Sequence, residues 1–110
     1  MTSPRKRVVA FISGGGSNML ALAKAAEAPD FPAEIVAVFS DKAEAGGLAK
    51  AEALGISTRT FLRRDFAGKE AHEAAILDAL DALSPDIICL AGYMRLLSGT
   101  FIKRHEGRIL

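Results

Sequence analysis

The run Val8-Val9-Ala10-Phe11-Ile12, followed at once by Ser13-Gly14-Gly15-Gly16-Ser17-Asn18, constrains this chain more than any other feature. An apolar stretch rich in β-branched residues and without polar alternation suits a strand buried on both faces, as in a parallel sheet. After the Gly/Ser loop, Leu20, Ala23 and Lys24 carry a helical spacing over about Asn18 to Glu27, stopped at Pro29. The pair of elements then recurs. Ile35-Val36-Ala37-Val38-Phe39 is a second apolar run, and Ala45 to Leu54 a second helix with Leu48, Ala49 and Glu52 in step and Gly55 at the C′ position. Ser57 to Phe61 is a weaker strand and Arg63 to Gly68 a loop. Lys69 to Leu83 is the clearest helix, with Ile76, Leu80 and Leu83 on one face and Glu70, Glu73 and Asp81 largely on the other. Pro85-Asp86 breaks it, and Ile87-Ile88-Cys89-Leu90-Ala91 gives a fourth buried strand. Gly92 to Arg95 forms a turn, Ser98 suits the cap of a short helix around Gly99 to Arg104, and Gly107 to Leu110 reads as the opening of a fifth strand. This alternation predicts an α/β fold, a doubly wound and mostly parallel sheet with right-handed crossovers.

The length of 110 residues suits one domain. Fourteen basic against thirteen acidic residues leave a formal charge of +1, which gives no electrostatic reason to expect nucleic acid or an acidic membrane as partner. No apolar run approaches the roughly 20 residues of a membrane span, and the start lacks a secretory segment. A single cysteine, Cys89, cannot form an internal disulfide, so a reducing, cytoplasmic setting is expected, with Cys89 an inert buried thiol. His72 and His105 have no metal-ligand spacing and read as surface residues, so no metal is expected.

Two stretches are placed for chemistry. The loop Ser13 to Asn18, between a strand and a helix, aims backbone N–H groups and a positive helix end at the mouth of the sheet, which favours a phosphate. Ser17 and Asn18 either cap the helix or donate to that ligand. Met19 stands where a dinucleotide fingerprint needs its third glycine, and no Gly-Lys-Ser/Thr triplet exists, so a mononucleotide or sugar phosphate fits better than NAD. Asp41 follows the second run; it is read as capping or solvating the next turn rather than as a ribose-binding acid. The second stretch, Leu90 to Ser98, surrounds Arg95 with Met94, Leu96 and Leu97. It is either ordinary packing with Arg95 in solvent or a site for a flat, partly apolar ligand with an acidic tail. Arg63 and Arg64 are a solvated loop pair and Lys69 merely begins a helix, or they face such an acidic ligand.

Val8 to Met19, Val38 to Ala43 and Leu90 to Leu97, in this order and spacing, closely resemble the phosphoribosylglycinamide formyltransferases, the folate-dependent transformylases of purine synthesis. The resemblance runs from about Arg7 to Leu110 and implies a Rossmann-like formyltransferase sheet, incomplete in these residues. It implies that Gly16, Ser17 and Asn18 hold the phosphate of glycinamide ribonucleotide. It further implies that Met94, Arg95, Leu96 and Leu97 line the site of the formyl-donor cosubstrate, 10-formyltetrahydrofolate. Lys69 falls where the family commonly has an arginine contacting the folate; lysine keeps the charge without the planar fork. In the family a strand like Gly107-Arg108-Ile109-Leu110 runs into Asn-x-His-Pro, and this Asn, this His and a later Asp carry the reaction. None of them is in these residues. The expectation is therefore residues 1–110 as the amino-terminal, mononucleotide-binding part of a formyltransferase domain, without catalytic residues and inactive alone, its oligomeric state open. A formyltetrahydrofolate deformylase and a non-catalytic sugar-phosphate-binding module are the competing readings.

Overall fold

Four strands, β1 (Lys6–Ile12), β2 (Ala33–Ser40), β3 (Ser57–Thr60) and β4 (Ile87–Leu90), form one sheet in the order β3-β2-β1-β4, with every pairing parallel. The structure is a computed structural model and describes residues 5–95 and 97–110. Helices α1 (Ser17–Ala25), α2 (Gly46–Ala53), α3 (Lys69–Leu83) and α4 (Gly99–Arg104) connect and cover the strands, and Arg63–Asp65 makes a 3-10 turn within the expected loop. Ile109 bridges Ile88 in parallel, so the expected fifth strand begins to pair on the far edge of β4.

The apolar runs have no alternation because both faces of the sheet are covered. Ala10, Ile12 and Val38 pack with Met19, Ala23, Leu48 and Ala51 beneath α1 and α2. Val9, Phe11, Ala37 and Phe39 pack on the other face with Ile76, Leu77, Leu80 and Phe101 of α3 and α4. A register shift between Val8 and Val9 inserts Val36, so Ile35 and Val38 lie on the same face although an odd interval separates them. Phe11 is the hinge of the aromatic packing: its ring lies 5.5 Å from Phe39, 5.2 Å from Tyr93 and 6.1 Å from Phe101. The chain winds outward through β1, β2 and β3, then crosses by α3 to β4 on the other side of β1. The strand order thus reverses between β1 and β4, which opens a crevice at their carboxyl ends.

Several expectations need correction. The buried face of α2 is Gly47, Leu48 and Ala51, while Ala49 and Glu52 are exposed. α1 ends at Ala25, short of Glu27. His72 is buried, because the Phe61 carbonyl accepts its Nε2–H at 2.7 Å and the Phe66 ring lies edge-on at 5.3 Å. Glu73 is buried beside it rather than on the polar face. Cys89 is only half-buried, though burial still raises its thiol pKa and keeps it protonated. α3 ends where expected, with Ser84 in the left-handed region at φ 49° and the Arg7 guanidinium donating to the Leu83 carbonyl at 2.9 and 3.0 Å. Among the described residues, no helix is long and apolar enough to cross a membrane.

His105 is also buried, against Phe101, and neither ring nitrogen has a hydrogen-bond partner. Burial foremost, and then the Arg108 guanidinium, hold its pKa below the ordinary 6.5, with Asp81 opposing and Arg104 adding to the shift. The unfolded chain therefore binds this proton more readily than the folded one. Stability from this residue is complete above pH 6.5 and declines as pH falls below it toward the lowered folded value. His105→Phe is expected to flatten the fall in denaturation midpoint below pH 6.5 while changing little above it, measured by urea titration across pH.

Candidate functional site

The two stretches singled out in the sequence meet at the crevice between β1 and β4. The Gly/Ser loop leaves β1 and enters α1 through Gly16, whose φ of 69° suits glycine, and no side chain caps the helix. Ser17 and Asn18 therefore do not serve as the cap, and the first amides of α1 remain free for an anion. Ser13, Gly14, Gly15, Gly16, Ser17 and Asn18, together with Lys42, Gly92 and Met94, line a cleft of about 270 Å³.

Two of the glycines answer to the fold as well as to a ligand. A Cβ on Gly16 would come within 2.9 Å of the Gly47 Cα, and one on Gly47 within 2.5 Å of the Ile12 Cδ1. The N-terminal turns of α1 and α2 thus touch backbone to backbone, joined by the Gly47 N–H donating to the Gly14 carbonyl at 3.1 Å. The Lys50 ammonium donates to the Gly15 carbonyl at 2.9 Å and braces the loop from α2. Nothing in the first loop signals these partners; the sequence signal for them is the Gly46-Gly47 pair at the start of α2.

A second cleft, of about 390 Å³, lies between the β4–α4 loop and α3 and is lined by Arg63, Lys69, His72, Glu73, Ile76, Tyr93, Met94, Arg95 and Leu97. Lys69, Met94, Arg95 and Leu97 all line this cleft; Leu96, grouped with them in the sequence, lies outside the described residues. Tyr93 stays protonated, its pKa pushed up to about 12 by burial and then by the Asp41 charge, with Glu73 adding and Arg95 opposing. Met94, 76% exposed, lines both clefts, so their contents would adjoin.

Two buried carboxylates fasten the loop between the clefts, and neither was read as such. Asp41 neither caps the next turn nor lies in solvent: it is 4% exposed, accepts from the Ser13 hydroxyl at 2.6 Å and pairs with the Arg95 Nε at 2.9 Å. The Ser13 Oγ in turn accepts the Met94 N–H at 2.9 Å. Glu73 accepts the Ser98 N–H at 2.8 Å and the Ser98 hydroxyl, while the Ser98 Oγ accepts from the Phe101 N–H as the cap of α4. Glu73 falls on a helix and its partner on a distant loop, so helical periodicity alone assigns it to the polar face.

These contacts make two expectations measurable. Gly47→Ala is expected to destabilise the chain by about 1–3 kcal/mol through overpacking, read as a lower urea midpoint at unchanged m-value. Glu73→Ala leaves the Ser98 amide without its acceptor and is expected to cost about 1–3 kcal/mol, with faster amide exchange concentrated at Ser98 and along α4.

Known proteins place this geometry in a family. Residues 6–110 match the sequence profile of the formyl transferase family. A crystal structure of phosphoribosylglycinamide formyltransferase from Brucella melitensis is 78% identical, with a TM-score of 0.95, over 96% of this chain and 55% of that one. Phosphoribosylglycinamide formyltransferase from Escherichia coli is 39% identical over 94% of this chain and 49% of its own length. The trifunctional purine biosynthetic protein adenosine-3 from Bos taurus is 44% identical over 97% of this chain and 11% of its own length. The chain thus spans about half the length of the single-function relatives, or less. With this profile match over nearly the whole chain and the parallel α/β sheet superposing on such a structure, the chain belongs to the formyl transferase family.

Proposed function

We propose that these residues form the substrate-phosphate loop and part of the formyl-donor site of a phosphoribosylglycinamide formyltransferase. Such an enzyme moves a formyl group from 10-formyltetrahydrofolate to the amine of glycinamide ribonucleotide. The observation that carries this reading is the junction of the two clefts at Met94. Formyl transfer needs an acceptor amine and a donor carbon held side by side, and most of the gain from such positioning is entropic.

In this reading Gly16, Ser17 and Asn18 bind the phosphate through the uncapped amides of α1, aided by the helix dipole. The second cleft takes the donor folate. Its apolar lining, Ile76, Met94 and Leu97, suits a flat ring system, and its cations, Lys69 and Arg95, suit an acidic tail. The amine attacks the formyl carbon, a tetrahedral oxyanion forms, and the carbon–nitrogen bond to the folate breaks as it collapses. Among the described cleft residues no side chain is placed to move the proton. His72 commits its Nε2–H to the Phe61 carbonyl, and Tyr93 keeps its own proton across the neutral range. Proton transfer and oxyanion stabilisation are assigned to the part of the relatives' length that these residues do not span.

Thermal-shift titration tests the reading. Glycinamide ribonucleotide at roughly 100 times its Kd is expected to stabilise the fold by about 2.7 kcal/mol, and a bulky side chain at Ser17 is expected to abolish the shift. Stabilisation by NAD and not by glycinamide ribonucleotide would contradict the assignment.

A further inference from the structure

We propose that Asp41 is a positioning residue for the formyl donor: its ion pair on the Nε side of Arg95 leaves the terminal nitrogens of the guanidinium for the second cleft. The proposal rests on the reading that this cleft takes the donor.

Asp41 sits just beyond the carboxyl end of β2, with its side chain only 2% exposed and each carboxylate oxygen engaged. One oxygen accepts from Ser13, and the other forms an ion pair with Arg95, approaching its Nε at 2.9 Å. An ionised carboxylate can only accept, so the Ser13 proton must point at Asp41, and a Ser13 lone pair is left for the Met94 amide. The polarity of the chain from Met94 through Ser13 to Asp41 is therefore fixed. One buried charge orders two successive residues of the β4–α4 loop, Met94 by its backbone and Arg95 by its side chain.

The choice of nitrogen matters. A guanidinium paired through Nε keeps its two terminal amino groups, and with them a planar fork, for another partner. The Arg95 side chain remains 39% exposed and lines the donor cleft. Arg63 and Lys69 share that cleft, and Arg64 lies on the adjoining groove with Asp41 and Arg95. Glu73 lines the same cleft but is committed to Ser98, and Glu44 borders the groove without pairing with Arg95. Without the Asp41 charge, Arg95 would lose the one ion pair it makes among the described residues, and repulsion from Arg63, Arg64 and Lys69 would favour conformations turned toward solvent. Asp41 counters that repulsion from a buried position just beyond the end of β2.

Steady-state kinetics in a full-length family member carrying these residues tests the proposal, with Asp41→Asn, Arg95→Gln and the double variant. Asn at 41 still accepts the Ser13 hydroxyl but offers no charge to Arg95. Each single variant is expected to raise the donor KM by about tenfold, the range of a hydrogen bond to a charged group. The double variant should do no worse than the poorer single one, because the two residues act as a unit. The KM for glycinamide ribonucleotide and kcat should stay within about twofold, which general damage to the fold would not allow. Arg95→Lys, on the exposed side of the pair, provides the measurement should Asp41→Asn fail to fold. A lysine ammonium is a single nitrogen without the planar fork that spans two separated partners, so it should match Arg95→Gln. An unchanged donor KM in Asp41→Asn, additive effects, equal losses for both substrates, or full rescue by lysine would each overturn the positioning role alone. An unmodified protein that shows no formyl transfer from the folate would overturn the parent reading as well.

Discussion

β1 has no free side. Its two edges pair with β2 and β4, and its residues from Val8 onward are buried on both faces. Because the neighbours run parallel to it, each must be reached by a crossover, and the crossovers to β2 and to β4 lie on opposite faces of the sheet. The connections leaving β1 and β4 therefore part company at the carboxyl end, where neither covers the crevice between them. The position of the site follows from this burial, since a strand half open to water would allow an antiparallel neighbour and a tight turn in place of the crevice. Phe11 shows the dependence at one residue, touching aromatic rings of β2, α4 and the β4–α4 loop together.

Within the crevice, electrostatics does the ordering that apolar packing cannot. Among its described residues the β4–α4 loop carries few fully buried apolar side chains, and Met94 is among the most exposed large hydrophobic residues described. Its conformation rests on Asp41 at one end and Glu73 at the other, both buried and each with both oxygens engaged by the loop or its neighbours. A buried carboxylate with every partner present is tolerable, whereas one missing a partner is costly. This asymmetry favours the loop conformation that keeps these partners in place, and a cleft ordered in advance binds without the cost of becoming ordered.

Much of this was legible in the amino-acid order. The four strands, the four helices and both cleft loops follow from apolar runs, helical spacing and turn residues, and α3 begins at Lys69 and ends at Leu83 as its pattern dictates. Local pattern failed where a side chain's partner is far away in sequence. His72 looks like a surface residue until the Phe61 carbonyl is brought to it, and Glu73 until Ser98 is. Asp41 looks like a turn residue because Ser13 and Arg95 lie on two other loops. Polar residues carry no periodic signal of burial, so their roles become visible only when the crossovers have set the loops side by side. The three-glycine run was read for its freedom toward a ligand, while the contact of Gly16 with α2 lay hidden in a second glycine pair some thirty positions on.

That contact divides the glycine run into unlike halves. Around Gly14 a Cβ would meet nothing within 4 Å, and around Gly15 only the tip of the Lys50 side chain at 3.9 Å, whereas Gly16 is pressed against α2. The first two positions are open to variation without disturbing the scaffold, and they border the smaller cleft. Anyone wishing to reshape what this cleft admits has two sites to edit, and a third that must be left alone because it is a joint between helices.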